Sequence, residues 1–283
     1  MNSRQYTVQT RWEEGAFLLT AKNRYVKGCH LETFGMQQLI GTGKRVMFKI
    51  SEKGRGIRDM FDAIAPRYDF LNRLLSLGVD RRWRSFAVGQ LQIPDGGKVL
   101  DVATGTGDVA LEIASRTPES VRVVGEDFTQ GMLAVGQQKI DASPFGSRIF
   151  LVNAPCEAIP HPDRTFDGVT IAFGIRNVVD RLAGLREMRR VLKPGGRAVV
   201  LEFSNPRSRL FKALYYFYFR RVLPFLGGLF SRRSAYQYLP DSVLEFPDQE
   251  TFKALMEEAG FSCLQHFDLT FGIATVYVGV CPD

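Results

Sequence analysis

From about Ile57 onward, apolar positions alternate between two textures, helical spacing and short continuous runs. Met60-Phe61-Ile64-Ala65 and Tyr68-Leu71-Leu74-Leu75 recur at helical spacing on either side of Pro66, which predicts two short helices between Ile57 and Leu75. Asp80 to about Gln90 predicts a third. Val99–Val102 is a continuous apolar run and predicts a strand, followed by a helix beginning near Val109. The pattern then repeats. Strand Val121–Val124, carried on by Gly125-Glu126-Asp127, precedes helix Met132–Ile140; strand Arg148–Val152 precedes a loop, Asn153–Arg164, and strand Phe166–Phe173. Leu182–Lys193 is amphipathic, with Leu182, Leu185, Met188 and Leu192 on one side, and Pro194-Gly195-Gly196 is expected to end it before strand Arg197–Phe203. Helix Phe252–Gly260 and strands Ser262–Asp268 and Ile273–Val280 complete the series. Runs that are apolar throughout suit strands covered on both faces, so the alternation predicts an α/β fold with a doubly wound, mostly parallel seven-stranded sheet. A ligand would then sit outside the carboxyl ends of the first strands.

Two segments fall outside this pattern. Residues 1–46 mix apolar positions such as Phe17-Leu18-Leu19 with Gly15, Gly28, Gly35, Gly41 and Gly43, show no sustained period, and are expected to be poorly structured. They read as a transit-like arm or as an extension translated from upstream of a start at Met47, with the folded domain spanning 47–283. The second segment, Asn205 to Asp241, reads as an inserted helical cap. Between Phe203 and Pro240 it holds seven Lys or Arg, no acid, and ten aromatic residues from Phe211 to Tyr238. That composition suits a cover for an apolar substrate that also lies on anionic lipid headgroups.

The most chemically specific stretch is Val99-Leu100-Asp101-Val102-Ala103-Thr104-Gly105-Thr106-Gly107-Asp108, a strand running into a glycine-containing loop that opens a helix. Gly105 and Gly107 allow positive φ and close backbone approach to a ligand, and the helix start presents free N–H groups. Asp127, 20 residues beyond Gly107, stands where ribose hydroxyls need a carboxylate acceptor. The third glycine position of a dinucleotide loop is Ala110, an allowed variant, so the loop by itself fits several nucleotide cofactors. No Lys or Arg in the loop meets a diphosphate, whereas Asp101, Thr104 and Thr106 surround the glycines. This favours S-adenosyl-L-methionine, which carries a ribose, an adenine and a zwitterionic tail but no phosphate.

Composition narrows the alternatives. The 283 residues are 45% hydrophobic and carry a net charge of +7. Residues 1–46 contribute +4, leaving +3, so the domain is only mildly basic and a nucleic-acid partner is not expected. Cys29, Cys156, Cys263 and Cys281 form no C-x-x-C pair, and His30, His161 and His266 lie far apart, so neither zinc nor a disulfide framework is indicated. No apolar run reaches the roughly 18 residues that span a bilayer.

With these residues assembled, the chain from about Phe48 to Val280 resembles the ubiquinone/menaquinone biosynthesis C-methyltransferase family, within the Rossmann-like class I S-adenosylmethionine-dependent methyltransferases. The resemblance rests on Phe61-Asp62-Ala63-Ile64-Ala65-Pro66-Arg67-Tyr68-Asp69-Phe70-Leu71-Asn72, Phe173-Gly174-Ile175-Arg176-Asn177-Val178, Arg190 to Arg197 leading to Leu201-Glu202-Phe203-Ser204, and Tyr238-Leu239-Pro240-Asp241-Ser242. It implies methyl transfer to a ring carbon of a prenylated quinol. It also implies Arg176 and Asn177 as catalytic residues facing the transferred methyl. Cofactor contacts would fall to Asp101, Thr104, Gly105, Thr106, Gly107, Asp127, Phe128, Pro155, Cys156 and Ala172. Two positions depart from the family pattern. Pro155 replaces the usual Asp or Asn and removes an acceptor for the adenine amino group, for which Asn153 is a candidate substitute, and Ala172 stands where some members carry Ser. A cytoplasmic protein, peripheral at the inner face of the cell membrane, with a homodimer as candidate assembly, is the expectation. A methyltransferase on another lipid or on RNA, and a non-catalytic scaffold of a quinone-synthesis complex, are the alternatives.

Overall fold

The computed structural model describes residues 6–13, 16–23, 48–49, 51–204, 238 and 241–283. An antiparallel pair, β1 (Tyr6–Glu13) and β2 (Ala16–Asn23), adds β3 (Phe48–Lys49) at its edge. This hairpin lies in the stretch expected to be poorly structured. Tyr6, Val8, Thr10 and Trp12 alternate with Thr7, Gln9, Arg11 and Glu13, a period of two in which β-formers stand at every second position. The glycines around it obscured that signal.

Helix α1 (Glu52–Ile64) starts on Ser51, whose Oγ accepts the Gly54 N–H at 3.1 Å. A turn of 3-10 helix at Ala65–Arg67, placed by Pro66, leads into α2 (Tyr68–Leu75), and α3 (Asp80–Gly89) follows. The main unit then runs β4 (Lys98–Val102), α4 (Asp108–Arg116), β5 (Arg122–Asp127), α5 (Gln130–Asp141), β6 (Ile149–Asn153) and β7 (Phe166–Ala172). It continues with α6 (Arg181–Val191), β8 (Leu192–Phe203), α7 (Gln249–Glu258), β9 (Ser262–Leu269) and β10 (Ala274–Val280).

The seven strands are ordered β6-β5-β4-β7-β8-β10-β9, and β10 alone is antiparallel to its neighbours β8 and β9. The predicted sheet is therefore present, with its order reversing between β4 and β7, the place where such sheets bind ligands. Helices cover both faces. In β8, Ala198 and Val200 pack with Leu185, Met188 and Phe252 on one side, while Val199 and Leu201 pack with Trp83, Ala110 and Ile113 on the other.

One boundary differs from the expectation. Pro194-Gly195-Gly196 ends no helix; α6 stops at Val191, and β8 begins at Leu192, which pairs with Phe166 before a register shift brings Arg197 opposite Gly168. The stretch is held in place because the Gly195 N–H donates to Cys281 O and the Cys281 N–H to Gly196 O, both at 2.9 Å. The proposed cap falls almost wholly outside the described residues. No described helix is long and apolar enough to cross a membrane.

Candidate active site

The glycine loop is shaped by its own backbone. Ala103 at the end of β4 takes φ 50°, Gly105 57° and Gly107 78°, the last serving as the N-cap of α4. Thr104 donates its N–H to Glu126 O on β5 at 2.9 Å, and Gly107 donates to Thr104 O at 2.9 Å. Neighbouring elements press on this turn. A Cβ on Gly136 of α5 would lie 3.2 Å from the Thr106 carbonyl carbon, so a side chain there would push the loop back by a few tenths of an ångström.

Two carboxylates sit beneath it. Asp101 is buried and accepts the Thr104 hydroxyl at 2.5 Å; burial raises its pKa to about 7 even though that hydroxyl lowers it. Asp127 ends β5 and is gripped from both sides, Oδ2 by the Gly105 N–H at 2.9 Å and Oδ1 by the Thr129 N–H at 2.8 Å. Burial raises its pKa to about 6, and the backbone donors oppose the rise. The Thr129 side chain bonds it as well, and the acceptor capacity that remains on a carboxylate can still serve a ribose hydroxyl.

A cavity opens at the carboxyl ends of β4, β5, β6 and β7. Of the residues expected to bind cofactor or substrate, Gly105, Asp127, Phe128, Pro155, Cys156, Ala172 and Asn177 line it. Asp101, Thr104, Thr106, Gly107 and Arg176 do not. Asp101 and Thr104 face each other under the loop, and Gly107 packs toward Ile140. Thr106 donates its hydroxyl to Asp69 of α2 at 2.5 Å, joining an ionic cluster in which Lys139 pairs with Asp69 at 2.6 Å and with Asp108. Asn153 also turns away: its Nδ2 donates to Asp127 O at 2.8 Å, and it does not line the cavity. Among the described residues, no Lys or Arg lines the cavity, in keeping with a cofactor without phosphate.

Phe61, Tyr68, Met132, Phe173 and Val178 also form the wall and were not singled out from sequence. Phe61 and Tyr68 stand in the quoted Phe61–Asn72 stretch, and their i, i+7 spacing could have marked one face. Their placement on a roof over β4 and β5 could not be read, because it depends on how α1 and α2 dock. They do so through Asp62, whose Oδ1 accepts the Gly131 N–H at 2.7 Å. Asp62 thereby supplies a donor's partner to the first turn of α5, whose N-cap Thr129 makes no side-chain cap bond.

Beyond β7 the chain makes a one-turn 3-10 helix, Ile175–Asn177. Phe173 before it has φ 55°, and a Cβ on Gly174 would approach Ala103 Cβ to 2.6 Å. The turn sends its two polar residues in different directions. Arg176 goes inward, donating from Nη1 to Glu202 Oε1 at 2.7 Å and to Phe173 O at 2.6 Å, and Glu202 Oε2 accepts the Arg176 N–H at 3.2 Å. Both side chains are buried, and the guanidinium lies 5.4 Å from the Phe203 ring centre. Asn177 faces the cavity, where its Oδ1 accepts the Tyr238 hydroxyl at 3.0 Å and its Nδ2 lies 3.4 Å from Phe173 O.

Comparison with known proteins decides what this geometry belongs to. The sequence model of the ubiE/COQ5 methyltransferase family matches residues 47–281. The chain belongs to that family. It is 66% identical over 233 residues to the ubiquinone/menaquinone biosynthesis C-methyltransferase UbiE of Geotalea uraniireducens, covering 82% of this chain and 99% of that one. With the UbiE of Geobacter sulfurreducens the identity is 68% over 236 residues, 83% and 92% of the two chains. The demethylmenaquinone methyltransferase of Thermus thermophilus is 51% identical over 224 residues, 79% of this chain and all (100%) of that one. Among solved structures, the cyclase SpnF superposes with a TM-score of 0.62 at 16% identity, covering 81% of this chain and 97% of its own. The S-adenosylmethionine-dependent methyltransferase SibL gives 0.54 at 20% identity, over 76% and 58%. These last two share the fold alone, and that one is a cyclase shows why fold does not fix the reaction. As a ubiE/COQ5 family member the chain is a methyltransferase that uses S-adenosylmethionine, and residues 1–46 lie outside the family match.

Proposed function

We propose that this chain transfers the methyl group of S-adenosylmethionine to a ring carbon of a prenylated quinol, and that it does so at a membrane surface. The observation that carries the reading is the near full-length identity to C-methyltransferases of quinone biosynthesis. The site's chemistry supports it. Asp127, buried and held by two backbone N–H groups, suits ribose hydroxyls, and Phe128, Pro155, Cys156 and Ala172 give the cavity apolar wall against which an adenine could pack. The backbone of the loop at Gly105 would meet the zwitterionic tail.

When bound, S-adenosylmethionine supplies an electrophilic methyl group. A quinol becomes a carbon nucleophile once a phenolic proton leaves, because the oxyanion delocalises onto the ortho ring carbon; that carbon then gains the methyl and loses its own proton as the ring regains aromaticity. The chain's task is to hold ring and methyl in line and to favour the oxyanion. Asn177 is placed to orient the ring: Tyr238 occupies its Oδ1 and Phe173 O takes one Nδ2 hydrogen, which leaves the second to donate to a ring oxygen. Arg176 acts as a fixed positive charge behind the wall. It is locked by Glu202 and lies close enough to Tyr68 to lower that phenol's pKa against the effect of burial, so its field reaches the cavity. A guanidinium stays charged and is no base, so the phenolic proton leaves to water. The cationic, aromatic run between Phe203 and Asp241 supports an anionic lipid surface as the place where a prenylated acceptor is met.

The reading is tested by incubating the protein with methyl-labelled S-adenosylmethionine and chemically reduced short-chain demethylmenaquinol or demethylated benzoquinol, then locating the label by mass spectrometry and NMR. Label on a ring carbon is the expected result and names the ring. Cofactor binding without transfer to either quinol, but with transfer to RNA or another lipid, would replace it.

A further inference from the structure

Asp127 ends β5, and a purine carried by the ribose it holds lies further out, over the chain that leaves the neighbouring strand β6. There Ala154, Pro155, Cys156 and Glu157 line the cavity in succession. This stretch is fixed from behind. Asp127 O accepts the Ala154 N–H at 3.1 Å and Asn153 Nδ2 at 2.8 Å, and the Ala158 N–H closes a turn on Pro155 O at 3.0 Å. Cys156 is buried against α6, where a Cβ on Gly184 would meet its Sγ at 2.8 Å. A wall held at this many points presents a base with a fixed set of donors and acceptors.

The pairing edge of adenine asks for a donor to N1 and an acceptor for the 6-amino group. The donor is present. Among the described residues the Cys156 N–H has no acceptor, and Cys156 belongs to the cavity wall. The amine finds no such match. Pro155 brings neither a side-chain acceptor nor an N–H, and the Asn153 side chain is turned to Asp127 O. The nearby carboxylates have other tasks. Glu157 Oε1 accepts the Val179 N–H at 3.1 Å and the Asp180 N–H at 3.5 Å, and its own N–H bonds the same carboxylate. Asp180 caps α6, its Oδ1 accepting the Ala183 N–H at 2.9 Å. Glu126 is buried and lies outside the cavity wall.

We infer that this chain reads the base of its cofactor at N1, through the Cys156 N–H, and leaves the 6-amino group unread, with Pro155 as the residue that sets this specificity. The cofactor class it accepts then extends to purine analogues of S-adenosylmethionine that lack the amine and keep N1 as an acceptor. A site rejects a ligand lacking one polar group when its own buried partner is left unpaired. With no side-chain acceptor committed to the amine, its removal strands nothing. The inference concerns the cofactor alone and holds whichever acceptor is methylated.

Calorimetry on the full chain tests it with three ligands: S-adenosylhomocysteine, its 6-deamino analogue, in which purine replaces adenine, and its 6-oxo analogue, in which hypoxanthine carries a proton on N1. The wild type is expected to bind the 6-deamino compound within about threefold of S-adenosylhomocysteine and the 6-oxo compound about tenfold more weakly or worse, the scale of one lost hydrogen bond. Pro155→Asn supplies a neutral acceptor beside the base. That variant should prefer S-adenosylhomocysteine to the 6-deamino compound by about tenfold, with its melting temperature recording that it folds. A preference of that size in the wild type overturns the inference, whatever the variant does. Equal wild-type affinity for the 6-oxo compound overturns the reading through N1, and binding of none of the three removes the cofactor site with it. Ring methylation of a quinol by S-adenosylmethionine is indifferent to the wild-type ranking of the three, so a failure in that ranking is distinct from failure of the acceptor reading.

Discussion

Protonation of single buried carboxyls sets how this site responds to pH. Asp127 can serve ribose hydroxyls as a two-oxygen acceptor only when ionised, and its pKa of about 6 lies above the ordinary carboxylate value. The neutral form therefore grows as pH falls through 6, and affinity for S-adenosylhomocysteine should weaken in the same window, toward about tenfold per pH unit below it. Calorimetry on the wild type and on Asp127→Asn checks this: the variant should bind weakly with a flat profile. Asp101 acts on stability instead. Its folded pKa is about 7, so its contribution is full below the unfolded value and is lost as pH rises through 7. Asp101→Asn should flatten the fall of melting temperature across that range. The buried Arg176–Glu202 pair makes a third case. Removing one partner of such a pair costs about 3–5 kcal/mol, whereas replacing both with apolar groups is often neutral. Glu202→Gln should unfold at clearly lower denaturant, and Arg176→Met with Glu202→Leu should recover stability. Turnover of that double variant should remain about a hundredfold or more down, on the scale of a lost electrostatic stabiliser; recovered turnover would make the pair structural only. Asp127's placement against the glycine loop was legible because strand, loop and acid are local in sequence. Arg176's partner was not, since Glu202 reaches it only through the adjacency of β7 and β8 and the inward sense of one 3-10 turn.

Elements differ in how openly the sequence displays them. The centres of β4, β5, β7 and the second half of β8 announce themselves because they are buried on both faces and so read as short apolar runs. Helices α1 and α2 show a period but not a destination. Their docking comes from side chains that reach other elements, Asp62 to the first turn of α5 and Asp69 to Thr106 and Lys139. These contacts make the helix pair a roof whose position is tied to the glycine loop. Asp69→Ala removes the acceptor of the Thr106 hydroxyl and one partner of Lys139. Because the pair is partly exposed, the loss should be about 1 kcal/mol, roughly a fivefold weaker hold on S-adenosylhomocysteine. Faster proteolysis between residues 52 and 75 should accompany it. Wild-type affinity together with wild-type proteolysis would detach the roof from cofactor binding. The misjudged start of β8 has a similar cause. Pro194-Gly195-Gly196 has the composition of a breaker, and bonds to Cys281, distant in sequence, help hold it in the sheet.

At the scale of the whole molecule, the sheet is complete without the first 46 residues. Among the described residues the β1–β2 hairpin pairs with β3, through Ala16 to Lys49 and Phe17 to Phe48, and β3 is two residues long. The family match begins at residue 47, and 233 residues of this chain cover 99% of the Geotalea uraniireducens relative. A two-stranded hairpin is by itself marginal in water, so it is expected to add little to the folding free energy of the seven-stranded unit. A chain beginning at Met47 should therefore melt within a few degrees of the full chain and transfer methyl at the same rate. A 100-residue-scale domain shifts by about 4–8 °C per kcal/mol, and one of this size by less, so a small change is the sensitive readout. Should the shortened chain lose activity while keeping its melting temperature, the hairpin would have to act on acceptor delivery and not on the fold. Vesicle sedimentation of the two chains side by side would then locate that action at the membrane or at the cavity.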